Sequence, residues 1–160
     1  MFPNLFRKRL DEFGIDFAVV YTSAFRFQKT REDELRQAGC RALNVMHAEM
    51  FAEHADRMTA AAVIPCHTPQ EAVAELEYSV KTLGLKTAMI SGNIPRPVKK
   101  VAEVAPHLAG FAQWIDPLGM ASLFNYDPLW AKCVELKVAP TAHTTGFFGA
   151  RTTPTSYRSE

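Results

Sequence analysis

"MTAAAVIPCHTPQEAVAELEYSVKTLGLKTAMIS", residues 58–91, holds a complete strand–helix–strand unit. Its first segment, "MTAAAVIP" (58–65), is apolar throughout, with none of the polar alternation of a strand that keeps one face in water, so it reads as a strand buried on both faces. Thr68 then stands at a helix N-cap. Pro69 takes the first helical position, where its missing N–H costs nothing, and Glu71 lies three residues after the cap, completing a capping box. Val73, Leu76, Val80 and Leu83 recur at helical spacing, Glu77 and Lys81 form an i,i+4 pair, and Gly84 supplies the stop. "LKTAMIS" (85–91) is a second buried strand. Two such strands joined by a helix make a parallel pair with a right-handed crossover.

The alternation continues on both sides. Upstream, "MFPNLFRKRLDEFG" predicts a surface helix packing through Phe2, Leu5, Phe6, Leu10 and Phe13, ended by Gly14, and "DFAVVY" (16–21) predicts a strand. Thr30 opens a long helical stretch, "TREDELRQAGCRALNVMHAEMFAEHADR", whose early acidic residues suit the positive end of the helix dipole and whose Gly39 weakens its middle. Downstream, residues 91–126 read as irregular, with one short helix near Val98–Val104; a loop of that length is functional or an insertion. Asp127 and Pro128 predict another N-cap and first turn. "VAPTAHT" (138–144) is the fourth strand, entered through Lys137 where a glycine stop is usual. The pattern gives an α/β fold of four parallel strands in a single domain, residues 1–160. Half of a (β/α)8 barrel and a small doubly wound sheet both satisfy it.

The chain has 160 residues, 48% of them hydrophobic and 22% charged, enough apolar material for one core. Eighteen basic residues against seventeen acidic leave a net charge of +1, which excludes the electrostatic footprint of a nucleic-acid or anionic-membrane binder. No apolar run approaches the roughly 20 residues of a membrane helix, so a soluble protein is expected. The first helix has the look of a targeting segment, but Asp11, Glu12 and the lack of a small-residue cleavage site favour a packed helix. Cys40, Cys66 and Cys133 form no C-x-x-C pair, the pattern of reduced structural thiols in a cytoplasmic protein.

The segments "MFPNLFRKRLDEFGIDFAVVY", "AAVIPCHTPQEAVAELEYSVKTLGLKTAMISGNIPRP", "WIDPLG" and "NYDPLWAKCVELKVAPTAHTT" together resemble the central part of the amidohydrolase-related (amidohydrolase 2) family of metal-dependent enzymes. That family includes 2-amino-3-carboxymuconate-6-semialdehyde decarboxylase and other aromatic-acid decarboxylases. The resemblance covers nearly the whole chain, and the "YDPLW…H" spacing is its most specific part. It implies a partial TIM barrel, with "DFAVVY", "AAVIP", "KTAMIS" and "APTAHT" as barrel strands two to five. It also implies a divalent metal, commonly zinc, at the C-terminal mouth of the strands. By the same resemblance His143 matches the metal-ligating histidine that ends the fifth strand, and the threonines and glycines after it form a mouth loop. The first-strand H-x-H pair, the sixth-strand catalytic histidine and the eighth-strand aspartate have no counterpart in the sequence. A barrel takes about 250 residues, so about half of one is expected.

Other residues are site candidates on their own spacing. A catalytic zinc needs about three protein ligands and an open position. His47 and His54, seven apart, read as a solvated helix face rather than an i,i+3 or i,i+4 ligand pair. His67, after the strand at 58–65, either faces the same mouth as His143 or belongs to the loop before the Thr68 cap; His107 carries no signal. Arg96 and Arg151 lie in loops after barrel-type strands, where a guanidinium can clamp a substrate carboxylate in bidentate fashion, or else are plain loop arginines. Trp114, Phe147 and Phe148 suit an aromatic pocket or ordinary packing.

Two functions are expected. In one, the chain is a fragment or short member of the metal-dependent family, whose reaction is hydrolysis or non-oxidative decarboxylation of a carboxylated cyclic or unsaturated substrate, and it is inactive alone. In the other, it is a non-catalytic half-barrel whose open edges pair with a second copy, giving a homo-oligomer, or with a partner chain.

Overall fold

The computed structural model describes residues 2–22, 25–119, 121–143 and 152–153. Its main sheet has four strands, β1 (Ala18–Val20), β2 (Met58–Ile64), β3 (Thr87–Ser91) and β6 (Pro140–His143), in that spatial order. All three pairings are parallel: Ala18 lies opposite Met58, Val63 opposite Met89, and Ser91 opposite His143. The curled four-strand parallel sheet is half of a TIM barrel. Expected strands two to five are all present, although β1 is shorter than the apolar run 16–21 suggested.

The helices are α1 (Phe2–Glu12), α2 (Asp33–Phe51), α3 (Pro69–Glu77), α4 (Lys99–Val104) and α5 (Asp127–Leu136). Leu10 of α1, Ala72 and Leu76 of α3, and Leu129 and Cys133 of α5 form one core cluster with Ala60, Ala62, Ile64, Ala88 and Ile90. Strand alternation puts Ala61, Val63 and Met89 on the other face. There they meet Cys40 and the partly buried Phe27 and Leu43. β2 is buried along its whole length, which accounts for its unbroken apolar sequence.

The predicted capping box of α3 is present. Thr68 Oγ1 accepts from the Glu71 N–H at 3.3 Å, and the Glu71 carboxylate accepts from the Thr68 N–H at 2.9 Å. The Glu77–Lys81 pair closes at 2.6 Å and Gly84 takes φ +70°. After Glu77 the helix widens into one π turn, Tyr78–Thr82. Lys137 adopts φ 54°, ψ 41°, so a residue with a side chain makes the left-handed stop.

Several expectations are corrected. The long helix begins at Asp33 after a Glu32 cap, not at Thr30, and runs unbroken through Gly39. Gly39 is there because Phe27 packs against its Cα: a Cβ would run into the ring. Asp127 is the first residue of α5, not its cap; the cap position is Tyr126, and the Asp127 N–H donates to Asn125 Oδ1 at 2.8 Å. Of the apolar face expected for α1, Leu10 is buried, whereas Phe2, Leu5 and Phe13 are 59%, 59% and 71% exposed. The segment 91–126 is more ordered than its prolines and glycines suggested. Besides α4 it contains β4 (Ile94–Pro97) and β5 (Gln113–Asp116), paired antiparallel, and β5 also pairs in parallel with β7 (Thr152–Thr153).

Candidate functional site

The C-terminal ends of β2, β3 and β6, with the segments that follow β2 and β3, form the candidate site, the position barrel enzymes use. His143 ends β6 opposite Ser91, and its residue is exposed. Register assigns its face: Met89 lies opposite Thr141 and Val63 opposite Met89, so His143 shares the face of Ser91, Met89 and Val63. That face is partly occupied at the centre. Gln28, in a 3-10 turn at Phe25–Lys29, donates from Nε2 to the Ile64 carbonyl at 2.9 Å and to the Met89 carbonyl at 2.8 Å, tying the segment after β1 across the ends of β2 and β3.

Arg96, on β4, is 9% exposed. Its Nε donates to Asp116 Oδ2 at 2.9 Å and its Nη2 to the Tyr126 hydroxyl at 3.0 Å, while its guanidinium lies 5.0 Å from the Phe124 ring centroid. Tyr126 in turn donates to the Cys66 carbonyl at 2.7 Å. Asp116, fully buried, also accepts from the Leu118 N–H at 3.0 Å. The chain Asp116–Arg96–Tyr126–Cys66 therefore ties the second sheet to the end of β2. A substrate carboxylate at Arg96 would share a guanidinium already held by two groups. Arg151, Phe147 and Phe148 lie outside the described residues, and Trp114 is buried in β5 at 4% exposure.

His67 follows β2 with its ring partly buried. Its backbone N–H donates to Glu71, and its Nδ1 is buried without a hydrogen-bond partner. Burial first, then the charges of Arg36 and Arg96, hold its pKa down to about 4, so the ring is neutral at physiological pH. Arg36 is buried beside it: Nε and Nη2 reach Glu71 Oε2 at 3.2 and 2.8 Å, and Nη2 reaches Asp33 at 2.6 Å. His47, expected on a solvated face, is 8% exposed and its Nδ1 also lacks a partner; burial lowers its pKa. His54 is half-buried and His107 exposed.

Among the described residues no three His, Cys, Asp or Glu side chains stand together as a metal site. His143 alone does not fit a catalytic metal, which needs about three protein ligands. All three cysteines are buried and free, and burial pushes the Cys40 thiol up to about 12 and raises those of Cys66 and Cys133, as inert thiols require. No helix among the described residues is long and apolar enough to cross a membrane.

The network around Arg96 was not legible in advance. "WIDPLG" and "NYDPLW" carry part of the family resemblance, yet nothing in their spacing says that Asp116 and Tyr126 converge on Arg96. Asn44 and Gln28 carried no signal at all, since single amides in a helix and a loop are ordinary.

A family model described as Amidohydrolase matches residues 5–159. No curated protein matches. Among solved structures, a 2,6-dihydroxybenzoate decarboxylase complexed with 2,6-dihydroxybenzoate superposes with a TM-score of 0.67 at 23% identity, covering 89% of this chain and 39% of that one. A dihydroxybenzoic acid decarboxylase from Polaromonas, with bound manganese and the inhibitor 2-nitroresorcinol, gives 0.67 at 24% identity over 89% and 38%. A putative amidohydrolase from Staphylococcus aureus gives 0.63 at 16% over 94% and 44%. At these identities the likeness carries the fold. The chain spans about two fifths of the length of these structures.

Proposed function

Because the chain belongs to the amidohydrolase family, we propose that it carries one ligand position, His143, of a divalent-metal site for hydrolysis or non-oxidative decarboxylation of a small carboxylated cyclic or unsaturated substrate. The observation that carries this reading is the place of His143 at the C-terminal end of a parallel barrel strand within the family match. The dihydroxybenzoate decarboxylases among the similar structures favour decarboxylation of an aromatic acid. Zinc is the metal the resemblance implied, and manganese is the one named with the Polaromonas structure. Either is a divalent ion that a neutral imidazole ligates.

The described side chains do not complete the ligand set, so no chemical step is assigned to this chain alone. The reading gives it a positioning part instead. His143 presents a ligand at the edge of the sheet, and Arg96, held by Asp116 and Tyr126, fixes the loop beside the end of β2. Arg96 and Arg151 remain the proposed substrate-orienting residues, with Arg96 sharing its charge between Asp116 and an incoming carboxylate. The buried, unreactive thiols support a reducing, cytoplasmic setting, and residues 1–160 form a single domain in this reading.

The test is carbon dioxide release from 2,6-dihydroxybenzoate by the purified 160-residue chain with zinc or manganese added. The proposal expects no turnover above the metal-only background. A full enzymatic rate from this polypeptide would overturn it.

A second reading, that the half-barrel self-associates, is favoured by one observation: among the described residues β1 and β6 end the strand order, and each has a single neighbour.

A further inference from the structure

Beyond the end of β2 lies a second set of polar groups, and we infer that it binds an anion: the His67 ring and the guanidinium groups of Arg31 and Arg96 form a subsite for a substrate carboxylate. The inference deepens the reading above and rests on it for the class of substrate, but not on the metal or on His143.

The main chain at His67 is held from both sides. Its N–H donates to Glu71, whose other carboxylate oxygen takes Nε and Nη2 of Arg36 at 3.2 and 2.8 Å. The carbonyl of the preceding Cys66 accepts from the Tyr126 hydroxyl at 2.7 Å, and that hydroxyl accepts from Nη2 of Arg96 at 3.0 Å. Two buried arginine networks thus fix one residue. The imidazole itself gains nothing from either: Nδ1 is buried with no hydrogen-bond partner, and Nε2, which is not enclosed, has none among the described residues. A ring placed so firmly, yet satisfying no group of the fold, is placed to meet something outside it.

The surroundings of the ring decide which nitrogen carries its proton. Burial first, then the charges of Arg36, Arg96 and Arg31, keep the imidazole neutral, with Asp33 opposing them. A neutral imidazole has one N–H and one bare nitrogen. A buried N–H without an acceptor is the rarer orphan, and guanidinium charge favours a lone pair over a proton at the enclosed atom. Nδ1 is therefore bare, and Nε2–H faces outward.

Everything this cluster offers a ligand is then a donor. Arg31, between the segment after β1 and α2, is exposed and forms no ion pair among the described residues. Its Nη1 lies beside Gly110, where an added Cβ would come within 3.6 Å of it. Arg96 has Nε on Asp116 and Nη2 on Tyr126, which leaves Nη1 for a ligand. Arg36 takes no part, because Glu71 and Asp33 occupy it. Three donors without an acceptor, two of them cationic, select a carboxylate over an amine or a cation.

The experiment is nuclear magnetic resonance of the full chain without metal, its histidine rings labelled with nitrogen-15 and the His67 signals identified by their loss in His67→Gln. Benzoate is the probe, added at constant ionic strength. The expected result is a neutral His67 ring with its proton on Nε2 at neutral pH, and signals that move saturably as benzoate is added. Benzamide, of the same shape without the charge, should leave them in place. Arg31→Gln, at an exposed position, should weaken benzoate at least about threefold with the circular dichroism unchanged. A proton on Nδ1, no movement with benzoate, equal movement with benzamide or sodium chloride, or benzoate affinity unchanged in Arg31→Gln overturns the inference. Because no metal is present, each outcome leaves the His143 reading to be judged by metal binding alone.

Discussion

Replacing Asn44 with leucine removes a side chain that acts as a strand partner. β1 pairs with β2 only through Ala60, and beyond that point Val63 has its backbone satisfied by Asn44: Oδ1 accepts from the Val63 N–H at 2.7 Å and Nδ2 donates to the Val63 carbonyl at 3.0 Å. The same Nδ2 reaches Glu75 Oε1 at 2.7 Å and Ser79 Oγ at 3.2 Å, and Asn44 is fully buried. Leucine fills the volume but leaves a peptide N–H, a peptide carbonyl and a carboxylate oxygen short of partners. Each such group costs about 1–3 kcal/mol, and because the three share one site the losses do not simply add. The expected loss is about 3–5 kcal/mol, a large part of the roughly 5–15 kcal/mol that holds a domain together. Urea unfolding followed by circular dichroism measures it. Asn44→Asp separates hydrogen bonding from packing. It keeps the acceptor for Val63 but sets a second carboxylate against Glu75, so its folded pKa lies above the unfolded value of about 3.9. A raised folded pKa means that stability is greatest below the unfolded value and is lost as pH rises through the folded one. Asn44→Asp should therefore be poorest at neutral pH and recover toward pH 4 relative to wild type. A loss below about 1 kcal/mol in Asn44→Leu, or no pH dependence in Asn44→Asp, would refute the account.

His67 has its folded pKa lowered to about 4 against an ordinary 6.5, so wild type should be fully stable above pH 6.5 and lose stability as pH falls toward 4. After allowance for the ring's partial exposure the loss is about 1–3 kcal/mol, and unfolding midpoints for His67→Gln should show that part of the acid slope removed. Gly39→Ala should cost about 1–3 kcal/mol by overpacking against Phe27, and Phe27→Leu in the same chain should recover part of it in thermal melts. A thiol reagent should modify Cys40, Cys66 and Cys133 only after unfolding, since all three are buried; rapid labelling of the native chain would contradict the packing around β2 and β3.

The parts of the fold that were legible in the sequence are those set by local chemistry. The Thr68–Glu71 box, the glycine stop at Gly84 and the doubly buried strands 58–64 and 87–91 each follow from a few neighbouring residues. What was missed depends on distant partners. β4 and β5 have four residues each, β4 with two prolines, and the buried Arg96–Asp116 ion pair that links them joins residues 20 positions apart. His47 reads as a surface histidine because burial of the inner face of α2 is decided by β2, not by the helix's own sequence. Gly39, read as a weak point in the helix, marks the close approach of Phe27. For the candidate site, His143 came from the family resemblance; the residues that fix its surroundings, Gln28, Asp116 and Tyr126, act through contacts 20 or more positions away.

The most direct test of the central claim, that His143 is a metal-ligand position in an otherwise incomplete half-barrel site, is equilibrium binding of zinc and manganese to the purified chain beside His143→Ala. The account predicts weak binding that dialysis removes and that disappears in the variant. Tight, stoichiometric metal that survives His143→Ala would contradict it, because the ligands would then lie elsewhere in the chain.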